Sequence, residues 1–301
     1  MVRKILKWTM IIISVLFLLI VVAFFTLTSI AGRQMAKKYN VVPEVVIIPT
    51  DSASIERGRQ RASVLCMDCH GAGFAGKVFF DDSKLGRLDA PNLTRGKGGV
   101  GGIYTDADLI RAIRHGVNRE GRALMVMPAK DFHSMSEQDL SEVIAFIRTI
   151  PPVDHEIQKI PHFTSLGKAL IAAGAFGTVF SAEEIDHSAG FTVAPEAGPT
   201  AVYGDYLVKV FGCRSCHGEG LNGGKSPDPA APLAPNITPG GNPGKWSQEQ
   251  FTTVLRSGLT PEGRKLTDFM PWKATAYMAD ADLAAVYKYL HSLPKLETAK
   301  H

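Results

Sequence analysis

The sequence predicts an all-α chain, with two tandem helical domains behind an N-terminal transmembrane helix. Three observations predict it. Trp8 to Ile30 contains no charged side chain. The pentapeptide CMDCH at Cys66 to His70 returns as CRSCH at Cys213 to His217, and the residues that follow return with it. Between these landmarks apolar residues recur at helical spacings of three and four, and no run alternates convincingly as a strand would.

The apolar run comes first in the chain. At about 1.5 Å per residue it can cross a hydrocarbon core of about 30 Å. Arg3, Lys4 and Lys7 precede it and Arg33, Lys37 and Lys38 follow it, so charge alone orients it poorly. The competing reading is a cleaved signal peptide, with Ser29-Ile30-Ala31 as a small-x-small site. The run exceeds the usual signal core of about 7–15 residues, so a retained single-pass anchor over residues 1–31 is expected.

The repeat organises the rest. Ala90-Pro91-Asn92-Leu93-Thr94 matches Ala234-Pro235-Asn236-Ile237-Thr238. Ile113-Arg114-His115-Gly116-Val117 matches Leu255-Arg256-Ser257-Gly258-Leu259, Gly121-Arg122 matches Gly263-Arg264, and Met127-Pro128 matches Met270-Pro271. Pro151 and Pro294 close the units. Two domains of ordinary size follow, at residues 51–152 and 201–296, with a linker at 153–200.

Each copy reads as a set of helices. Gly58 to Cys69 and Gly204 to Cys216 are expected to deliver the pentapeptides at their C-terminal ends. Thr105 with Asp108, and Ser247 with Gln250, have the spacing of a capping box, and Gly116 and Gly258 are the matching stops. The last helix of copy one starts near Ser136 and puts Leu140, Val143, Ile144 and Ile147 on one face, a face that Leu283, Val286, Tyr287 and Leu290 repeat. Met135 and Met278 read as packing. In the linker, Leu166 to Phe180 is too short to span a membrane and reads as a helix between the domains, a partner contact or a surface segment. His155, His162 and His187 there read as solvated.

The two pentapeptides contain all four cysteines of the chain. A Cys-x-x-Cys pair can be a redox dithiol, half a zinc site or a covalent haem attachment site. The dithiol expects a thioredoxin-like βαβ setting, which is missing, and zinc does not require the adjacent histidine. Haem c uses every member: Cys66 and Cys69, then Cys213 and Cys216, add to the porphyrin, and His70 and His217 bind the iron axially. Two covalently bound haem c groups are therefore expected. A net charge of +4 over 301 residues, with no basic block interleaved with aromatics, gives no nucleic-acid signal.

The sixth iron ligand decides between carrying electrons and opening the metal to substrate. Met127 and Met270 occupy equivalent places before the last helix, each followed by a φ-restricting proline. They are the expected axial partners of His70 and His217. Met125 competes with Met127 from two residues away, and His115 and His133 offer a bis-histidine alternative in copy one only. Pro91 and Pro235 carbonyls are candidates to hold the imidazoles. Tyr104, Trp246, Arg122 and Arg264 are candidates for the haem edge or propionates.

The order CxxCH, Ala-Pro-Asn-(Leu/Ile)-Thr, Arg-x-Gly, Gly-Arg, Met-Pro and a final amphipathic helix resembles class I cytochrome c. The tandem arrangement is similar to the cytochrome c subunits of membrane-bound bacterial alcohol and aldehyde dehydrogenases, which commonly carry three haems where this chain has two motifs. The resemblance implies two class I cytochrome c domains with His/Met-ligated iron. It implies a non-enzymatic electron carrier of a respiratory chain, anchored in the bacterial cytoplasmic (inner) membrane with its haem domains on the periplasmic side. Its redox partners would be a membrane dehydrogenase, a quinol-oxidising complex or a terminal oxidase. The alternative is a di-haem peroxidase with one iron open to peroxide.

Overall fold

A computed structural model describes residues 2–157, 160–226 and 230–300. Met1, two positions of the expected linker, three of the expected second domain (227–229) and His301 lie outside it. The apolar run is one helix, α1 (Val2–Ala36), whose long apolar stretch has no buried part and is long enough to cross a membrane. It continues five residues beyond the expected anchor. There it stops being free: Ala31 is fully buried.

Copy one follows. Asp51 caps α2 (Ser52–Leu65) by accepting from the Ser54 amide, and the pentapeptide forms its own short helix, α3 (Met67–His70). The expected start at Gly58 is therefore corrected. Gly58 is not a boundary but a crossing point: a Cβ there would stand 1.8 Å from the Glu142 carbonyl oxygen. Next come strands β1 (Lys77–Asp82) and β2 (Gly86–Ala90), then α4 (Asp106–His115), α5 (Ala129–Phe132) and α6 (Glu137–Thr149). The Thr105–Asp108 capping box forms, and Gly116 ends α4 at φ 64°. Ser136 caps α6, and Leu140, Val143, Ile144 and Ile147 are all buried.

The segment between the copies holds β3 (His162–Phe163) and α7 (Ser165–Ala172). β3 pairs antiparallel with β2, which pairs antiparallel with β1. Helix α7 covers only the first half of the apolar stretch and packs along α1 rather than between the two units. Its residue Ile171, with Val179 and Phe180, forms a small core around Ala31 of α1.

Copy two repeats the plan. It contains α8 (Ala201–Val210), α9 (Cys213–His217), β4 (Asn222–Gly224), β5 (Ala234–Asn236), α10 (Gln248–Ser257), α11 (Trp272–Thr275) and α12 (Asp280–Ser292). Here the first helix ends before the cysteines, because Gly212 turns left-handed at φ 66° and opens a new one. The chain is helix-rich, but the all-α expectation misses two small antiparallel sheets, β1-β2-β3 and β4-β5. Their strands are two to six residues long, with β1 exposed almost throughout and β2 mostly buried, so no alternating pattern was imposed on the sequence.

The copies pack reciprocally. Helix α5 of copy one meets α8 of copy two, and α11 of copy two meets α2 of copy one. One hydrophobic core runs through both, joining Ala62, Leu140 and Ile144 to Tyr206, Leu207 and Leu283. A polar seam crosses it. Arg61 pairs with Asp139 at 2.7 Å, and Tyr206 donates to the same carboxylate at 2.5 Å while accepting from the Ser136 amide at 2.9 Å.

Candidate cofactor sites

Each pentapeptide occupies about one helical turn, which brings its first cysteine alongside both the second cysteine, three residues on, and the histidine, four residues on. No disulfide joins the four cysteines, and all are half-buried. Burial pushes Cys66 and Cys213 up to about 12, and raises Cys69 and Cys216 as well. A redox dithiol depends on a lowered thiol pKa, and burial here acts in the opposite direction. Among the described residues no cluster of His, Cys, Asp or Glu is placed to hold a metal ion on its own.

The histidines are set for coordination. His70 Nδ1 lies 2.8 Å from the Pro91 carbonyl oxygen, and His217 Nδ1 lies 2.8 Å from that of Pro235. A carbonyl only accepts, so each Nδ1 carries the proton and each Nε2 keeps its lone pair. Burial lowers the pKa of both rings and keeps them neutral. The repeated Ala-Pro-Asn motif explains how the carbonyl is held. Asn92 is fully buried; its amide donates to the Val153 carbonyl at 2.8 Å and its oxygen accepts from the Thr94 amide at 2.9 Å. Asn236 does the same with Leu296 and Thr238, at 2.9 Å each. The proline carbonyl is thus pinned to the chain leaving the last helix of its copy.

The methionines separate. Met127 packs against the main core together with Cys66 and Met67, and Met270 joins the same core beside Cys213. Met125 packs instead in the small core around Ala31. Val126 between them sits at φ 64°, a left-handed turn that lets the two side chains diverge. The bis-histidine alternative meets other claims. His115 is buried, with Nε2 3.0 Å from Glu44 Oε2 and Nδ1 3.1 Å from His187 Nδ1. His133 Nδ1 donates to the Arg114 carbonyl at 3.2 Å. His187 is therefore not a simply solvated linker residue, and His155 donates to the Ala75 carbonyl at 2.8 Å.

The supporting candidates fare unevenly. Trp246 spends its indole N–H on Glu262, at 3.0 Å. Arg122 and Arg264 are exposed and make no side-chain hydrogen bond or ion pair among the described residues. Arginine does matter elsewhere, at Arg114 and Arg256 of the Arg-x-Gly motif. Both reach across to carbonyls behind the methionine loop, Arg114 to His133 at 2.6 Å and Arg256 to Ala276 and, at 2.8 Å, to Met278. Phe74 and Leu221 carry a role that the sequence did not disclose. Each lies four residues after its histidine, is buried, and holds a positive φ of 56–57°. Their carbonyls accept from Leu93 and Ile237, which ties the pentapeptide to the Ala-Pro-Asn loop. The equal offset is visible in the repeat; the backbone conformation is not.

Both copies are similar to known proteins. A family profile described as cytochrome c matches residues 55–151 and 201–294, more than half of the chain. The cytochrome c subunit of a quinone-type alcohol dehydrogenase from Gluconacetobacter polyoxogenes is 30% identical over 272 residues, 81% of this chain and 57% of that subunit. A diheme cytochrome c-type protein from Cereibacter sphaeroides is 28% identical over 267 residues, 77% of this chain and 83% of the relative. The cytochrome subunit of a fructose dehydrogenase from Gluconobacter japonicus is 29% identical, with 80% of this chain and 53% of that subunit aligned. The chain thus spans little more than half the length of the two dehydrogenase subunits.

Proposed function

The chain belongs to the cytochrome c family, and from that premise we propose that it is a membrane-anchored di-haem carrier of single electrons. Its domains are residues 51–152 and 201–296. Cys66 and Cys69 would hold one haem c by thioether bonds, with His70 and Met127 on the iron. Cys213 and Cys216 would hold the second, with His217 and Met270. When bound, haem c supplies an iron that cycles between ferric and ferrous.

The chain's residues do the rest. The proline carbonyls fix the tautomer and direction of each imidazole. The methionines offer a soft, neutral donor that favours the ferrous state. The shared core packs against Cys66 and Met127 at one site and Cys213 and Met270 at the other, giving each an apolar backing. The reciprocal packing brings the methionine side of each copy against the leading helix of the other, which favours direct exchange between the two sites. The single observation that carries this reading is the doubling of one geometry: a half-buried CxxCH turn, a histidine Nδ1 at 2.8 Å from a proline carbonyl, and a Met-Pro loop on the same core.

The relatives named as dehydrogenase cytochrome subunits support a membrane dehydrogenase as donor, with a quinol-oxidising complex or a terminal oxidase as other candidate partners. Helix α1 would place the protein in the bacterial inner membrane with both haem domains in the periplasm, where haem c is attached. The test is purification of the full chain from membranes in mild detergent, with intact mass and identification of co-purifying subunits. A mass increment of two haems and a co-purifying dehydrogenase are expected. A chain with one haem or none would sink the di-haem reading.

A further inference from the structure

We propose that the segment between the two copies is a working part of the first site: it clamps the loop carrying Met127 and fastens that loop to the membrane helix. The inference rests on Met127 being the sixth ligand of the first haem. Three contacts make the clamp. The Val126 amide donates to the Val179 carbonyl at 2.8 Å. The Ser181 hydroxyl donates to the Met127 carbonyl at 2.8 Å. Lys130, three residues further on, pairs with Glu184 at 2.6 Å. The methionine is bracketed on both sides.

The left-handed φ of Val126 is what a β-branched residue adopts only when its surroundings impose it. Here the bond to Val179 supplies that constraint, and the turn it fixes sends Met127, not Met125, to the main core. The far side of the clamp is held by the membrane helix and the chain leaving it. Val179 and Phe180 pack with Ala31 of α1. Glu183 accepts from the Tyr39 hydroxyl at 3.1 Å and from the Lys37 ammonium at 3.3 Å.

The second copy has only the inner half of this arrangement. Leu266 donates to the Gly258 carbonyl at 2.7 Å, as Leu124 does to that of Gly116. Beyond that, among the described residues, the Met270 loop is tied to itself, through Met270 to the Thr267 carbonyl at 3.2 Å and Lys273 to Asp268 at 2.8 Å. The same ligand type is thus held under two different restraints, and Met270 should leave its iron more readily than Met127. Ser181 is a positioning residue.

The test is a titration of the oxidised, full-length protein with imidazole, which competes with a thioether for ferric iron. Two binding steps are expected, the tighter one at the Met270 site. Ser181→Ala should strengthen only the weaker step, by about fivefold, the equivalent of one neutral hydrogen bond of about 1 kcal/mol. Ser181→Thr should restore it, and Glu184→Gln should act on the same step. An unchanged isotherm in Ser181→Ala, or equal shifts in both steps, would overturn the clamp. A wild-type spectrum with the far-red sulfur-to-iron band of only one haem would instead overturn the ligand assignment, and the clamp with it.

Discussion

Asp131 sits where the copies meet, one turn past Met127. Its carboxylate accepts from the Ser215 hydroxyl at 3.0 Å, inside the second pentapeptide. Burial pushes its pKa up from 3.8 to about 6. The folded state therefore binds a proton that the unfolded state does not between these values, and stability from this group falls as pH rises through that window. Asp131→Asn keeps an acceptor for Ser215 and removes the buried charge. The variant should be more stable than wild type at pH 7, by on the order of 2 kcal/mol, and equal to it near pH 4. Thermal melts across that range check it. Asn92 makes the opposite case. Alanine there leaves the buried Thr94 amide without its acceptor and the Val153 carbonyl with the Thr94 hydroxyl as its remaining donor, and should cost about 2 kcal/mol in denaturant unfolding. The Ala-Pro-Asn repeat marks this residue's neighbourhood in the sequence itself. The role of its amide depends on a carbonyl about sixty residues away, which no local pattern encodes.

At the scale of elements, the helix ends were the most legible features. Thr105, Ser136 and Ser247 cap as their spacing requires, because capping chemistry is local. The strands were not legible, since β1 and β2 are held by backbone pairing and the turn at Leu85 rather than by an alternating face. Gly58 and Gly204 misled for a related reason. They read as helix starts, yet each marks the point where the first helix of a copy crosses the last. A Cβ at Gly204 would stand 2.1 Å from the Ala285 carbonyl oxygen. Gly58→Ala or Gly204→Ala should push these helices apart and cost at least about 3 kcal/mol, although alanine favours an isolated helix. Unfolding midpoints of the two variants, compared with an exposed control such as Gly73→Ala, measure the effect.

At the scale of the molecule, helix α1 is not a loose appendage. Helix α1 enters the fold at Ala31, and the segment after it ties Tyr39 to Gly121 and Glu183 and Glu44 to His115. Removal of residues 1–36 should bare the apolar surface of Ile171, Val179 and Phe180 and lower the melting temperature of the remainder, with no matching loss when only residues 2–20 are removed. The internal repeat made the two cytochrome c regions readable from one chain. It could not make the coupling between copies readable, because α5 against α8 and α11 against α2 arise from surfaces that are ordinary in sequence.

The central claim is that two histidine–methionine haems make this chain a carrier rather than a catalyst. The most direct measurement is an optical redox titration of the full-length protein in detergent, followed in the α-band and in the far-red sulfur-to-iron band. The account predicts two one-electron steps, low-spin spectra in both states and a far-red band of two-haem intensity, halved in Met270→His. A high-spin ferric haem that binds peroxide and turns it over would contradict it.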